Sequence, residues 1–255
     1  MPYTLVTFDG VTLPDGAGET PLTTGEVESG LTQAAGGMFD RYGTRQVLPT
    51  SLSIALRALY DNRSTALQTQ LDALRAKTGV YGQLVRKRIS DAVLQNINAR
   101  LLAVDGTLTP ADINAIMVAI NWESTEATWR SATATTATGS VGGNTSIAND
   151  GTAPVYDAVI TVTATSSLVN PTFVISALGV SLKYTGTINN TKALVIDCGA
   201  KTVKNDGANA YGGFSLQAGH TARNWMPLTV ATHTLAVAAS SGTGNVAVVF
   251  SKRWF

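Results

Sequence analysis

His220 and His233 are the only two histidines, the residue type best suited to hold a metal or move a proton near neutral pH. They lie in separate segments, and neither has a Cys, His or carboxylate at ligand spacing. Zinc ligand sets recur at short fixed intervals, so this spacing predicts no metal site. Hydrolysis of glycosidic bonds needs two carboxylates with opposed pKa values. Beyond Glu126 the chain holds no Glu and four Asp, and Asp150 and Asp206 sit in Asn-Asp-Gly turns. Glu123 and Glu126 are close together, and the expected setting is a solvated loop after a strand. Gly139-Ser140-Val141-Gly142 lacks the Gly-x-Ser-x-Gly spacing of a nucleophile elbow. The glycine clusters lie in polar loops rather than between strand and helix, so no phosphate or dinucleotide fingerprint is present and no cofactor is expected. These residues predict no catalytic, cofactor or metal site.

Binding chemistry has three candidate carriers. Flat aromatic rings stack on sugar faces, and of Trp122, Trp129, Trp225 and Trp254 the candidate sugar contact is Trp225. Against this, tryptophans in β domains commonly cover core edges with the indole N–H satisfied. Arg86-Lys87-Arg88 is a short basic run without interleaved aromatics, which reads as an exposed strand face rather than a specific nucleic-acid site. Residues 14–37 carry Asp15, Glu19, Glu26 and Glu28 with no Lys or Arg. Loops longer than about 12–15 residues are usually functional or disordered, so this stretch is expected to project as an arm. Glu19, Glu26 and Glu28 could then meet Arg86, Lys87 and Arg88 of a neighbouring subunit.

The elements that would position these groups centre on Tyr60–Arg88. Asp61, Asn62 and Ser64 can cap a helix, and Leu67, Leu71 and Leu74 fall on one stripe. Gly79 suits the residue just past the end. The spacing predicts a helix over about 63–78, docked through that stripe. Tyr3–Phe8 alternates as a strand, and Asp9-Gly10 turns it into Val11–Leu13. Leu52–Tyr60, Gln83–Ile89 and Val93–Val104 also read as strands, with Asp105-Gly106 turning the chain. Residues 109–122 satisfy two patterns. Thr109-Pro110-Ala111-Asp112 resembles a helix start, whereas the β-branched content and natural pairing with the preceding strand favour a strand.

Residues 131–152 are small and polar, which suits a linker entering an edge strand. The domains expected are therefore 1–135 and 136–255. Short apolar runs follow, at 158–164, 172–177, 180–184, 193–197, 213–217, 232–238 and 245–250, spaced as in a β-sandwich. Asn149-Asp150-Gly151 and Asn205-Asp206-Gly207 supply turns that tolerate left-handed backbone. The fold class is mainly β: an N-terminal barrel or sandwich with one docked helix, then a C-terminal sandwich. The 255 residues carry net charge +1, with 44% hydrophobic and 14% charged, which gives no electrostatic case for nucleic acid or membrane partners. Cys198 is the single cysteine, so no internal disulfide can form. MPYTLVTFDG lacks the pattern of a signal peptide, and no run reaches the roughly 18 apolar residues of a membrane span.

LPTSLSIALRALYDNRSTALQTQLDALRAKTGVYGQLVRKR, then NINARLLAVDG and INAIMVAINWESTEATW, resembles the belt domain of siphophage distal tail proteins. Gly79, Gly82, Leu84, Arg86 and Trp129 occupy the places of that family's turn, Arg-containing strand and closing aromatic. Asn149-Asp150-Gly151, Val159–Val162, Lys183–Gly186, Ala193–Asp197, Trp225 and a last hairpin follow the order of the family's galectin-like C-terminal domain. The resemblance covers about 45–255. It implies a hexameric ring at the distal end of a non-contractile tail, linking the tail tube protein to the hub or tip protein and to receptor-binding or fibre proteins. It also implies a virion protein assembled in the host cytoplasm, without catalysis. Unpaired strand edges and closed cyclic symmetry are compatible with such a ring. The rival reading is a lectin-like carbohydrate-binding module, which leaves the helix-bearing half without a task.

Overall fold

The computed structural model describes residues 3–13, 52–61, 65–88, 92–108, 115–124, 126, 128–220 and 224–254. The chain forms two compact units, one ending at Ala132 and the other starting at Thr133. The expected arm at 14–37, with Glu19, Glu26 and Glu28, lies outside the described residues. So do the caps Asn62 and Ser64 and the Thr109–Asp112 segment.

The first unit is an antiparallel sheet with one helix. Its strands are β1 (Tyr3–Phe8), β2 (Val11–Thr12), β3 (Leu52–Asp61), β4 (Tyr81–Arg88), β5 (Leu94–Leu108), β6 (Ala115–Ser124) and β7 (Trp129–Ser131). The order is β2-β1-β4-β5-β6-β3, with β7 paired to β5. Among the described residues these strands form an open sheet rather than a closed barrel. The helix α1 spans Thr65–Arg75, inside the expected 63–78. Its Leu71 and Leu74 are buried with Phe8, Leu84, Ile97, Leu101, Ile120 and Trp122, so these two positions of the apolar stripe dock; the Leu67 side chain lies outside the described residues. Gly79, at φ 85°, ends the turn after the helix, and its N–H donates to the Leu101 carbonyl at 2.7 Å. Asp9 and Gly10 both adopt positive φ, 45° and 80°, the geometry of a tight hairpin. Asp9 also pairs with Lys77 just beyond the helix.

One expectation in this unit changes. Asp105-Gly106 does not turn the chain, because β5 continues to Leu108 with Asp105 opposite Ala119 and Gly106 opposite Val118. A long apolar partner strand overrides the local turn preference of an Asp-Gly pair. The segment read as either helix or strand is a strand from Ala115 to Ser124, laddered on both sides by β3 and β5.

The second unit is a sandwich. Its strands are β8 (Thr135–Ser140), β9 (Asn144–Asn149), β10 (Val159–Ala164), β11 (Leu168–Val169), β12 (Thr172–Ile175), β13 (Val180–Tyr184) and β14 (Thr187–Ile188). After them come β15 (Ala193–Asp197), β16 (Thr202–Asn205), β17 (Ala208–Asn209), β18 (Phe214–Leu216), β19 (Ala231–Ala238), β20 (Gly244–Phe250) and β21 (Arg253–Trp254). One sheet runs β17-β16-β15-β10-β20-β8, the other β18-β13-β12-β19-β9, and β11 with β14 forms a small ribbon. Ile160, Val162, Leu194, Ile196, Val246 and Val248 of the first meet Ile147, Phe173, Leu182, Leu235 and Val237 of the second in one core.

The stretch read as a linker is instead two strands joined by a glycine turn. Thr135–Ser140 pairs with β20, Asn144–Asn149 pairs with β19, and the chain changes sheet between them. The turn at Gly142, φ 84°, fixes the crossover. Asn205-Asp206-Gly207 turns β16 into β17 with φ 52° at Asp206 and 80° at Gly207. Asn149-Asp150-Gly151 is different. Asn149 is a strand residue, and the 149–151 segment has no positive φ. Gly151 is needed for close approach, since a Cβ there would lie 2.3 Å from the Arg253 carbonyl oxygen.

Candidate functional site

Both histidines make hydrogen bonds within the second unit. The Ser181 backbone N–H donates to His220 Nδ1 at 3.0 Å. His233 is buried and its Nε2–H donates to the Thr229 carbonyl at 3.0 Å, with the Thr229 hydroxyl 3.2 Å away. Among the described residues no group of three or more His, Cys, Asp or Glu could hold a metal ion. Cys198 is fully buried, and burial pushes its thiol from 9.0 up to about 12; Lys201 pulls the other way, and Asp197 and Asp157 add to the rise. A thiol so strongly held neutral is a poor nucleophile.

Glu123 and Glu126 do not form a solvated loop. Glu123 lies within β6, with Arg100 Nη1 3.7 Å from Oε1. Glu126 accepts hydrogen bonds from Asn98 Nδ2 at 3.0 Å and from Arg130, and its backbone N–H donates to Ser124 Oγ at 3.0 Å. The Ser124 hydroxyl donates to the Asn98 carbonyl at 2.6 Å. The carboxylate of Glu126 therefore pins the passage from β6 to β7 onto β5.

The basic run does not share one face. Strand alternation puts Arg86 inward, where it is 2% exposed; its Nε donates to Gln95 Oε1 at 2.7 Å and its guanidinium lies 4.2 Å from the Trp129 ring centre. The expected exposed strand face therefore holds for Lys87, whereas Arg86 is a core residue. A period-2 reading anchored on buried Leu84 would have found this, since 84 and 86 share a face.

Trp122 and Trp129 are buried in the first core. Trp225 is 6% exposed; Phe214 packs at 4.4 Å between ring centres and Tyr211 at 5.9 Å. Lys201 Nζ stands 5.2 Å from its ring centre, with an ammonium that burial pulls below its ordinary value. Tyr211, 51% exposed, is the accessible member of the cluster.

What remains is a pair of β units with structural polar networks, strand edges and no assembled catalytic group among the described residues. Residues 150–254 match the family model described as siphovirus-type tail component, C-terminal domain. The chain also aligns with the crystal structure of SPP1 Dit (gp 19.1), described as a paradigm of the hub adsorption apparatus in phages infecting Gram-positive hosts. That alignment covers 81% of this chain and 80% of the other, at 14% identity with a TM-score of 0.57, which is a likeness of fold. The baseplate of phage P2 in its activated conformation with Ca aligns over 80% of this chain and 79% of that one, at 8% identity and a TM-score of 0.36. No curated protein matches the sequence. Residues 150–254 of the second unit are thus similar to the C-terminal domain of siphovirus-type tail components.

Proposed function

We propose that this chain is a structural component of a phage tail tip, built into a ring that joins the tail tube to the baseplate hub and the receptor-binding apparatus. The observation that carries it is the tail-component match over 150–254. The fold likeness to SPP1 Dit, spanning both units, supports it. In this reading the residues up to about 135 build the ring, and those from about 136 form a galectin-like domain without catalysis. Six copies are the expected number, and cyclic closure is the usual outcome for identical subunits. The virion is its place of work, after assembly in the host cytoplasm.

The enclosure of Trp225 by Phe214, Tyr211 and Lys201 favours a scaffold over a lectin. Native mass spectrometry of the full chain at assembly concentration is expected to give a closed ring at six times 26.5 kDa. Proteomics of purified virions is expected to find the chain at the tail tip. A protein missing from the virion, or monomeric within it, would sink the proposal. Glycan binding lost on Trp225→Ala would establish the lectin in its place.

A further inference from the structure

The two sides of the sandwich end differently. On one side the sheets stop at β17, two residues, and β18, three residues, too short to template another strand. On the other side they stop at β8 and β9, six residues each, TTATGS and NTSIAN. Neither contains Lys, Arg, Asp, Glu or Pro. No register shift interrupts β8 on β20 or β9 on β19. Among the described residues, neither pairs with a strand on its outer side. Proteins normally blunt an edge by shortness, charge, proline or a bulge. The short side uses the first of these, and the long side uses none.

The outer face of the same sheet carries a shallow depression centred on β20, with β8 along one side of it. Thr138 and Gly139, with Thr161 and Thr163 of β10 and Asn245 and Ala247 of β20, line an open trough of about 400 Å³. The ladder sets Thr138 opposite Ala247 and Ala247 opposite Thr161. Small side chains on three adjacent strands therefore leave the depression, and it contains no ionisable group. A charged side chain brought there would lose water without gaining a counter-ion.

We infer that the outer edge of β8 takes an extended, uncharged strand from another protein of the same particle, lengthening the six-stranded sheet by β-augmentation. Backbone pairing supplies the attachment, and an uncharged side chain of the added strand can lean across Thr138 toward the trough. A second copy is the poorer occupant. It would pair through its own β8, whose Thr and Ser side chains are too short to fill the depression, and the two-fold symmetry would join copies in pairs. The inference rests on the tail-component reading.

Cys198 is buried and inert, so a thiol introduced at exposed position 138 can be labelled alone at pH 7. Full-length Thr138→Cys carrying a benzophenone there is assembled into virions, irradiated, and the adduct mapped by mass spectrometry. The expected adduct joins position 138 to an extended segment of a different polypeptide. Hydrogen exchange should show β8 amides about tenfold or more slower in the virion than in the free chain. The paired substitutions Thr136→Lys and Thr138→Lys, both at exposed positions, should leave the melting temperature unchanged and abolish that protection. An adduct to β8 of a second copy would overturn the inference, as would β8 amides that exchange equally fast in virion and free chain. Absence of the chain from purified virions would overturn the tail reading with it, whereas presence with an unprotected β8 would overturn this inference alone.

Discussion

Cys198 shows at the residue scale how burial can replace chemistry. Its thiol is raised from 9.0 to about 12, chiefly because the sandwich core cannot solvate a thiolate. The sign follows from proton binding. Between those values the unfolded chain has released the proton and the folded chain still holds it, so stability is complete below pH 9 and falls as pH rises toward 12. Each unit in that window costs up to about 1.4 kcal/mol. Urea melts of Cys198→Ser should be flatter with pH across this range than those of the parent. Ellman's reagent at pH 8 should label the parent only after unfolding, and rapid labelling of the native chain would contradict the burial. Arg86 makes the complementary point. Its charge is accommodated inside the first unit by the Gln95 carbonyl oxygen and the Trp129 face, so a residue type read as surface became part of the core.

At the scale of elements, α1 is held by Leu71 and Leu74 against the sheet. Leu71→Ala should destabilise the first unit by about 2–5 kcal/mol, and an unchanged denaturation midpoint would show that the stripe carries no packing. Much of the architecture was legible because its alternation is apolar. Leu52–Tyr60, the strands at 172–184 and the helix all announce their period in Leu, Ile, Val and Phe. The strand pair β8 and β9, which crosses from one sheet to the other, was not legible, because its inward positions are Ala137, Gly139, Thr145, Ile147 and Asn149. A Cβ at residue 139 would lie 2.1 Å from Thr145 Oγ1, so the two strands approach too closely there for a larger side chain. Small polar residues, read from sequence as a linker, are here the consequence of tight strand contact. His220 and His233 lack partners at ligand spacing in the sequence; in the structure His220 accepts from the distant Ser181 N–H and His233 donates to the nearby Thr229 carbonyl.

For the whole molecule, the proposed ring would be built from surface contacts. Glu19, Glu26 and Glu28 are proposed to contact the basic strand of a neighbouring subunit. With Arg86 engaged in its own core, exposed Lys87 is the trio member best placed to answer them. Isolated surface pairs are worth about 0–1 kcal/mol, but a ring repeats the contact at every interface. Replacing the three acids by Gln should weaken ring assembly and reduce its salt dependence, measured by sedimentation at two ionic strengths; unchanged yield and salt response would remove the charges from the interface. The connectivity of the second unit sets a further condition, in time rather than in space. Asn144–Asn149 is made early, yet its only ladder partner among the described strands is Ala231–Ala238; Thr135–Ser140 likewise waits for Gly244–Phe250. Contacts so distant in sequence form slowly. During synthesis the first unit can be complete while these two uncharged strands still emerge unpaired, and that interval is when the growing chain is most exposed to aggregation.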